Sequence, residues 1–243
     1  MRIIQLTLAT GDLEGQEAFW GERLGLPVAR AGEDELEVRL RSSTIRFRRA
    51  APGVDARYHF AINLPPDSID RAVEWIGPRQ EPLPFRGDPE DGEGATVVRT
   101  DVGSGCFYFL DAAGNVVELI SSPYLDGERD QPFGPGSLIE IAEIGVAAAD
   151  LGATSAAVAE FFGEDVLWGG APGSLLTAVG DHHAVVIVAP VGRGWIPVDL
   201  PARPLPTEIV ACGDEPREVT LPEGPYRLRV VRPGAAAAPP PGA

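Results

Sequence analysis

The sequence predicts an α+β fold in which βαβββ units pair into curved mixed sheets, cups that carry their helices on the outside. Three observations point there. A strand–Asp–helix–strand pattern recurs three times along the 243 residues. Each copy is followed by further short apolar runs with the two-residue alternation of half-buried strands. Glycine (29) and proline (24) are abundant and fall in the turns between those runs, as many short strands require.

The first unit opens with the strand-like IIQLTLA, places Asp12 at a helix start, ends its helix on Phe19 and Trp20, and continues through ELEVRLRS and TIRFRRA. The second opens with YHFAINL, places Asp67 at the helix start and Trp75 and Ile76 near its end, and continues through TVVRTDV, CFYFLD and NVVELIS. The third opens with IAEIGVAAAD, ending on Asp150, carries Phe161 and Phe162, and continues through SLLTAVGD and HAVVIVAP. A short carboxylate at each N-cap accepts the orphan N–H groups of the first turn, and the late aromatics should pack on a sheet. A fourth copy is truncated: PTEIVACG and EVTLPEGPYRLRVV give strands with no helix-length segment between them. Residues 124–138 and 199–206 are turn-rich connectors, the first being the better boundary. Residues 1–123 are therefore expected to form one pair holding the ligand cup. Residues 138–233 should form a second, degenerate pair with a structural or dimerising role. Residues 234–243, GAAAAPPPGA, read as a disordered tail.

A formal charge of −16 and a pI near 4.5 argue against nucleic acid and anionic membrane as partners. The start, MRIIQLTLATGDLEG, lacks a signal-peptide apolar region, and no run approaches transmembrane length. Cys106 and Cys212 are too few for a disulfide framework and read as small buried apolar residues. A cytoplasmic protein is expected, with a small-molecule ligand or substrate as partner and a homodimer if a second chain is needed to complete a cup.

Alternation selects what faces the cup. With Ile4, Leu6 and Leu8 toward the helix, Gln5, Thr7 and Ala9 face inward. With Phe60, Ile62 and Leu64 toward the helix, His59, Ala61 and Asn63 face inward. Val117 and Leu119 share a face, so Glu118 takes the other. Gln5, His59 and Glu118 then converge, and an amide oxygen, a neutral imidazole and a carboxylate make a mixed N/O set for a first-row divalent metal. Three protein ligands with open positions suit catalysis. Glu143 stands in Gln5's register in the third unit, but the place of Glu118 in the fourth falls on Leu228, so the second cup is expected to lack a ligand set. His182 and His183 are expected in a turn or edge role. Arg46 and Arg48, alternating with Ile45 and Phe47, are expected at a solvated edge rather than in the cup.

The repeated unit together with FYFLDAAGNVVEL resembles the vicinal oxygen chelate superfamily, which includes glyoxalase I, extradiol dioxygenases, and fosfomycin- and bleomycin-resistance proteins. The resemblance covers residues 1–122 well, 138–200 moderately and 205–233 poorly. It implies metal ligands at Gln5, His59 and Glu118 for a divalent ion (Fe, Mn, Zn or Ni), with Thr7 and Tyr108 at catalytic positions. Ala112 stands where the motif usually has Pro, and Asp101, Val102 and Gly103 stand where ring-cleaving members carry a supporting His. That counts against ring cleavage. The strand STIRFRRA offers no fourth carboxylate of the glyoxalase I kind. The implied function is a divalent-metal-dependent lyase, isomerase or dioxygenase acting on a small oxygenated substrate. The alternative is a metal-free, ligand-sequestering protein of the bleomycin-resistance type.

Overall fold

Each unit starts with a strand whose apolar face needs a helix, and the computed structural model builds the units accordingly; it describes residues 1–85, 95–99, 104–125, 132–171 and 174–234. Asp101 to Gly103, part of the first connector and the tail beyond residue 234 lie outside the described residues. In the first unit β1 (Ile3–Thr10) leads into α1 (Leu13–Glu17), which continues as a π-helical stretch over Ala18–Arg23, then β2 (Val28–Arg30), β3 (Glu35–Arg39) and β4 (Thr44–Arg49). The second has β5 (His59–Leu64), α2 (Ile69–Ile76), β6 (Val98–Arg99), β7 (Gly105–Leu110) and β8 (Val116–Ser121). The third has β9 (Glu140–Ala148), α3 (Leu151–Phe162), β10 (Val166–Gly169), β11 (Thr177–Gly180) and β12 (Val185–Pro190). A small hairpin, β13 (Gly194–Trp195) and β14 (Leu200–Pro201), precedes the helix-less fourth unit of β15 (Thr207–Cys212), β16 (Arg217–Thr220) and β17 (Tyr226–Val231).

Two of the three expected N-caps form. Asp12 accepts the Gly15 N–H at 2.8 Å and Asp150 the Ala153 N–H at 2.9 Å. Asp67 is displaced: α2 starts one residue later than its register implies, Ser68 takes the cap position, and Asp67 itself lies at φ +54°. The aromatics pack on the sheet as expected. Trp20 is fully buried, with the rings of Phe47 and Phe60 6.5 and 6.3 Å from its own.

Unit pairing differs from the consecutive order expected. β5 runs antiparallel to β9, so the second unit joins the third, and β1 runs antiparallel to β15, so the first joins the fourth. A single position, Ile3 opposite Ile141, ties the two pairs into one continuous sheet. The connector runs along the same edge: the Ile139 N–H donates to the Asn63 carbonyl at 2.8 Å, which extends the β5–β9 ladder to its start. β1 is left for β15. Both cups are thus closed within one chain, and the boundary near residues 124–138 separates the halves of a cup rather than two cups.

The turn between β7 and β8 sets the register that opposes Tyr108 to Glu118. Asp111 is its hub. It accepts the Ala113 and Asn115 N–H groups at 3.0 Å, the Asn115 amide at 2.7 Å, and the Gln16 amide of α1 at 2.7 Å. Asn115 in turn accepts the Tyr58 N–H at 2.8 Å, at the entry to β5. Gly114 supplies the left-handed residue, φ +78°. No helix among the described residues is long and apolar enough to cross a membrane.

Two outcomes follow from this architecture. Residues 1–123 alone leave β1 and β5 without their antiparallel partners, so that fragment is expected to aggregate or stay unfolded; a soluble, cooperatively folded monomer by size-exclusion chromatography and circular dichroism would contradict the pairing. Asp111→Ala strands several buried donors at once and should cost about 3 kcal/mol of unfolding free energy in denaturant titration.

Candidate metal centre

Strand register assembles this site. Ala61 on β5 is opposite Glu118 on β8 on one side and Glu143 on β9 on the other, and His59 lies two residues back on the same face. The His59 Nε2 is 3.6 Å from the Glu118 Oε2 and 3.6 Å from the Glu143 Oε2. One ligand atom from each of the three lies within 4.8 Å of the others. His59 and Glu118 are buried and Glu143 is half-buried.

The charge at this site is predominantly carboxylate. No arginine among the described residues ion-pairs with Glu118 or Glu143. Burial, followed by the charge of Glu143, pushes the Glu118 carboxyl up to about 7, against the lowering effect of His59. The Tyr108 hydroxyl donates to the Glu118 Oε1 at 2.9 Å, which leaves Oε2 toward the imidazole. Burial also pushes the Tyr108 phenol and the half-buried Cys106 thiol up, so both stay protonated at neutral pH. The imidazole plane is set by Trp195, whose ring stacks at 5.2 Å and 26°. That indole fits only because residue 145 is glycine: a Cβ there would stand 2.6 Å from the Trp195 ring. The His59 Nδ1 is buried with no hydrogen-bond partner.

The two ends of this cup differ. One is filled by the β13–β14 hairpin, where Trp195, Leu200 and Ala202 pack with Val116 and Ile187. The other is an open cavity of about 470 Å3 that Glu143, Asn63, Ile120, Tyr124, Trp168 and His182 help to line. His182 stacks on Tyr124 at 4.1 Å, while Asp181 accepts the His183 N–H at 2.8 Å, the turn role expected for this pair. In addition, the His183 Nδ1 meets the Glu140 carboxylate at 3.0 Å.

The structure brings His59, Glu118 and Tyr108 together and does not bring Gln5 or Thr7 to them. Those two lie on β1 in the other cup, where the Gln5 amide donates to the Thr7 hydroxyl at 3.2 Å. Glu143 occupies the place assigned to Gln5. Its register was visible in the sequence; its partner unit was not. In the first cup the positions equivalent to Glu118 are Arg46, opposite Thr7, and Arg229, opposite Val210. Leu228 faces the helix-side core instead, because the approach to β17 is one residue longer than that to β8. Arg46 is buried within the cup, not at a solvated edge.

One imidazole nitrogen and two carboxylate oxygens, one buried and one half-buried, fit a first-row divalent ion, which would offset the charge of the carboxylate pair. The fourth equivalent position, on β12, is the apolar Ile187, so the set stops at three protein donors.

No family model matches the sequence, and no curated protein matches it. Solved structures do. A "putative dioxygenase from Bacillus subtilis" superposes with a TM-score of 0.60 at 13% identity, over 96% of this chain and 86% of that one. Glyoxalase I from Zea mays superposes with 0.50 at 14% identity over 95% and 92%, and its V278E mutant with 0.53 at 14% over 95% and 92%. Paired βαβββ units, a cup walled by β5, β8 and β9, and these superpositions together show that the chain shares its fold with these two proteins.

Proposed function

We propose that the chain is a divalent-metal-dependent enzyme of lyase, isomerase or dioxygenase type, with its metal on His59, Glu118 and Glu143 and a small oxygenated substrate in the 470 Å3 cavity. The carrying observation is the convergence of two carboxylates on one imidazole nitrogen inside a cup, with no arginine among the described residues to balance them. The fold it shares with the Bacillus subtilis protein and with glyoxalase I is consistent with that reading.

A divalent ion there would act as a Lewis acid toward vicinal oxygens of the substrate. The remaining work falls to the chain. Tyr108 holds the Oε1 of Glu118, so that Oε2 keeps its direction. Trp195 fixes the imidazole plane and, with Leu200 and Ala202, keeps water from the rear of the cup. Glu143, half-buried and lining the cavity, is the ligand nearest the substrate and the one able to exchange a proton with it. Two carboxylates and one His make a harder donor set than the two-His-one-carboxylate triad of non-haem iron oxygenases. That supports isomerase or lyase chemistry over ring cleavage. A cytoplasmic, small-molecule setting accords with the acidic charge.

Metal analysis tests the assignment. Wild-type protein should bind about one divalent ion, and His59→Ala, Glu118→Gln and Glu143→Gln should each weaken it at least tenfold, while Gln5→Ala leaves it unchanged. Trp195 fluorescence should fall on adding a paramagnetic divalent ion. Equal metal content in all variants would instead support the metal-free, ligand-sequestering reading.

The pH dependence has a defined sign. Metal-free Glu118 keeps its proton up to about pH 7, and the metal requires the carboxylate. Apparent affinity should therefore rise about tenfold per pH unit up to about 7 and flatten above it. Glu143→Gln removes the charge that helps to raise Glu118, so its break should move to lower pH. Affinity independent of pH between 5.5 and 8.5 would refute the arrangement.

A further inference from the structure

The cup formed by the first and fourth units has the opposite polarity, and it has its own cavity. We propose that this cavity, about 450 Å3 in volume, binds a small oxyanion, the phosphate or carboxylate group of a metabolite-sized ligand. The site lies outside the metal centre and does not depend on it.

Three adjacent strands build it. Gln5 on β1 is opposite Thr44 on β4, and β4 pairs with β3 so that Arg46 is opposite Glu37 and Thr44 opposite Arg39. These side chains therefore share the concave face, and Arg41 joins them from the β3–β4 turn. Three guanidinium groups meet one carboxylate. That balance is unusual for a chain of net charge −16 whose sequence contains no lysine.

The arginines of this cup divide into two groups. Arg48 pairs with Glu35 at 2.7 Å, Arg227 with Glu218 at 2.7 Å, and Arg229 with Glu208 at 2.8 Å. Arg39 and Arg41, by contrast, form no ion pair with another described residue. Arg46 is intermediate. Its terminal nitrogen meets the Glu37 carboxylate at 2.5 Å, but its buried Nε has no hydrogen-bond partner, since the Glu35 oxygen at 3.9 Å is beyond hydrogen-bond reach. A buried guanidinium N–H left unmade is costly, and a ligand oxygen would satisfy it. Arginine forks match phosphate and carboxylate oxygens two at a time. The Gln5 amide, which donates one N–H to Thr7, retains a second for the same ligand. Glu37 is the one feature that opposes an anion, and it sets the sign of a test.

Calorimetric and thermal-shift titrations with inorganic phosphate and with succinate, at ionic strength fixed with sodium chloride, decide the matter. Saturable binding of either anion above the chloride background is expected, and which one binds identifies the ligand class. Arg39→Ala/Arg41→Ala, which alters only exposed side chains, should weaken it at least tenfold. Glu37→Gln, which keeps an acceptor for Arg46, should tighten it several-fold. Glu143→Gln should leave it unchanged, which separates this site from the metal centre. The absence of any effect beyond chloride, or equal binding by the double variant, would overturn the proposal.

Discussion

The antiparallel contact between β5 and β9 is the constraint on which the rest of the molecule depends. It places Glu118 and Glu143 on either side of Ala61, and so turns one buried carboxylate into a converging pair. It uses the free edge of β5 and so leaves β1 to the fourth unit. It also brings Gly145 under Trp195, which fixes the ring of His59. Shifting that contact by one residue would send every cup-facing side chain of β9 into the helix-side core.

Much of this was legible in the sequence, because strand alternation is a local property. It put His59 and Glu118 on the concave face without any knowledge of what lay across from them, and the structure agrees; Tyr108 entered only through the family resemblance, and the β7–β8 register sets it opposite Glu118. Partner choice is not local. Gln5 and Glu143 occupy the same register in their units, and the pairing of β5 with β9 rather than with β1 decides which of them meets His59. Counting residues from a glycine failed at β17 for a similar reason: one additional residue in the approach exchanges Leu228 for Arg229. Asp67 illustrates the limit of N-cap reading, since a start moved by one residue transfers the role to Ser68.

The two cups show how one scaffold supports contrary electrostatics. At the last-strand positions the second and third units carry Glu118 and Ile187, whereas the first and fourth carry Arg46 and Arg229. A carboxylate at that position calls for a cation. A guanidinium supplies the positive charge from the chain itself, and the surrounding Glu35, Glu37, Glu208 and Glu218 are arranged around it. The repeated unit keeps its backbone while the side chains at these positions differ in sign between the cups.

The order of pairing is nested, with the inner units two and three enclosed by the outer units one and four. Chain synthesis meets these pairs unequally. The inner cup has all its strands once β12 has been made, near residue 190. β1 is the first strand to emerge, and β15 and β17, which complete its cup, are the last. Until then its edge toward β15 is open, and the outer cup is the contact of highest sequence separation in the fold. β1 itself carries no charge, and the arginines and glutamates of the neighbouring β3 and β4 are the charged groups that flank its open edge through the longest delay in the assembly of the molecule.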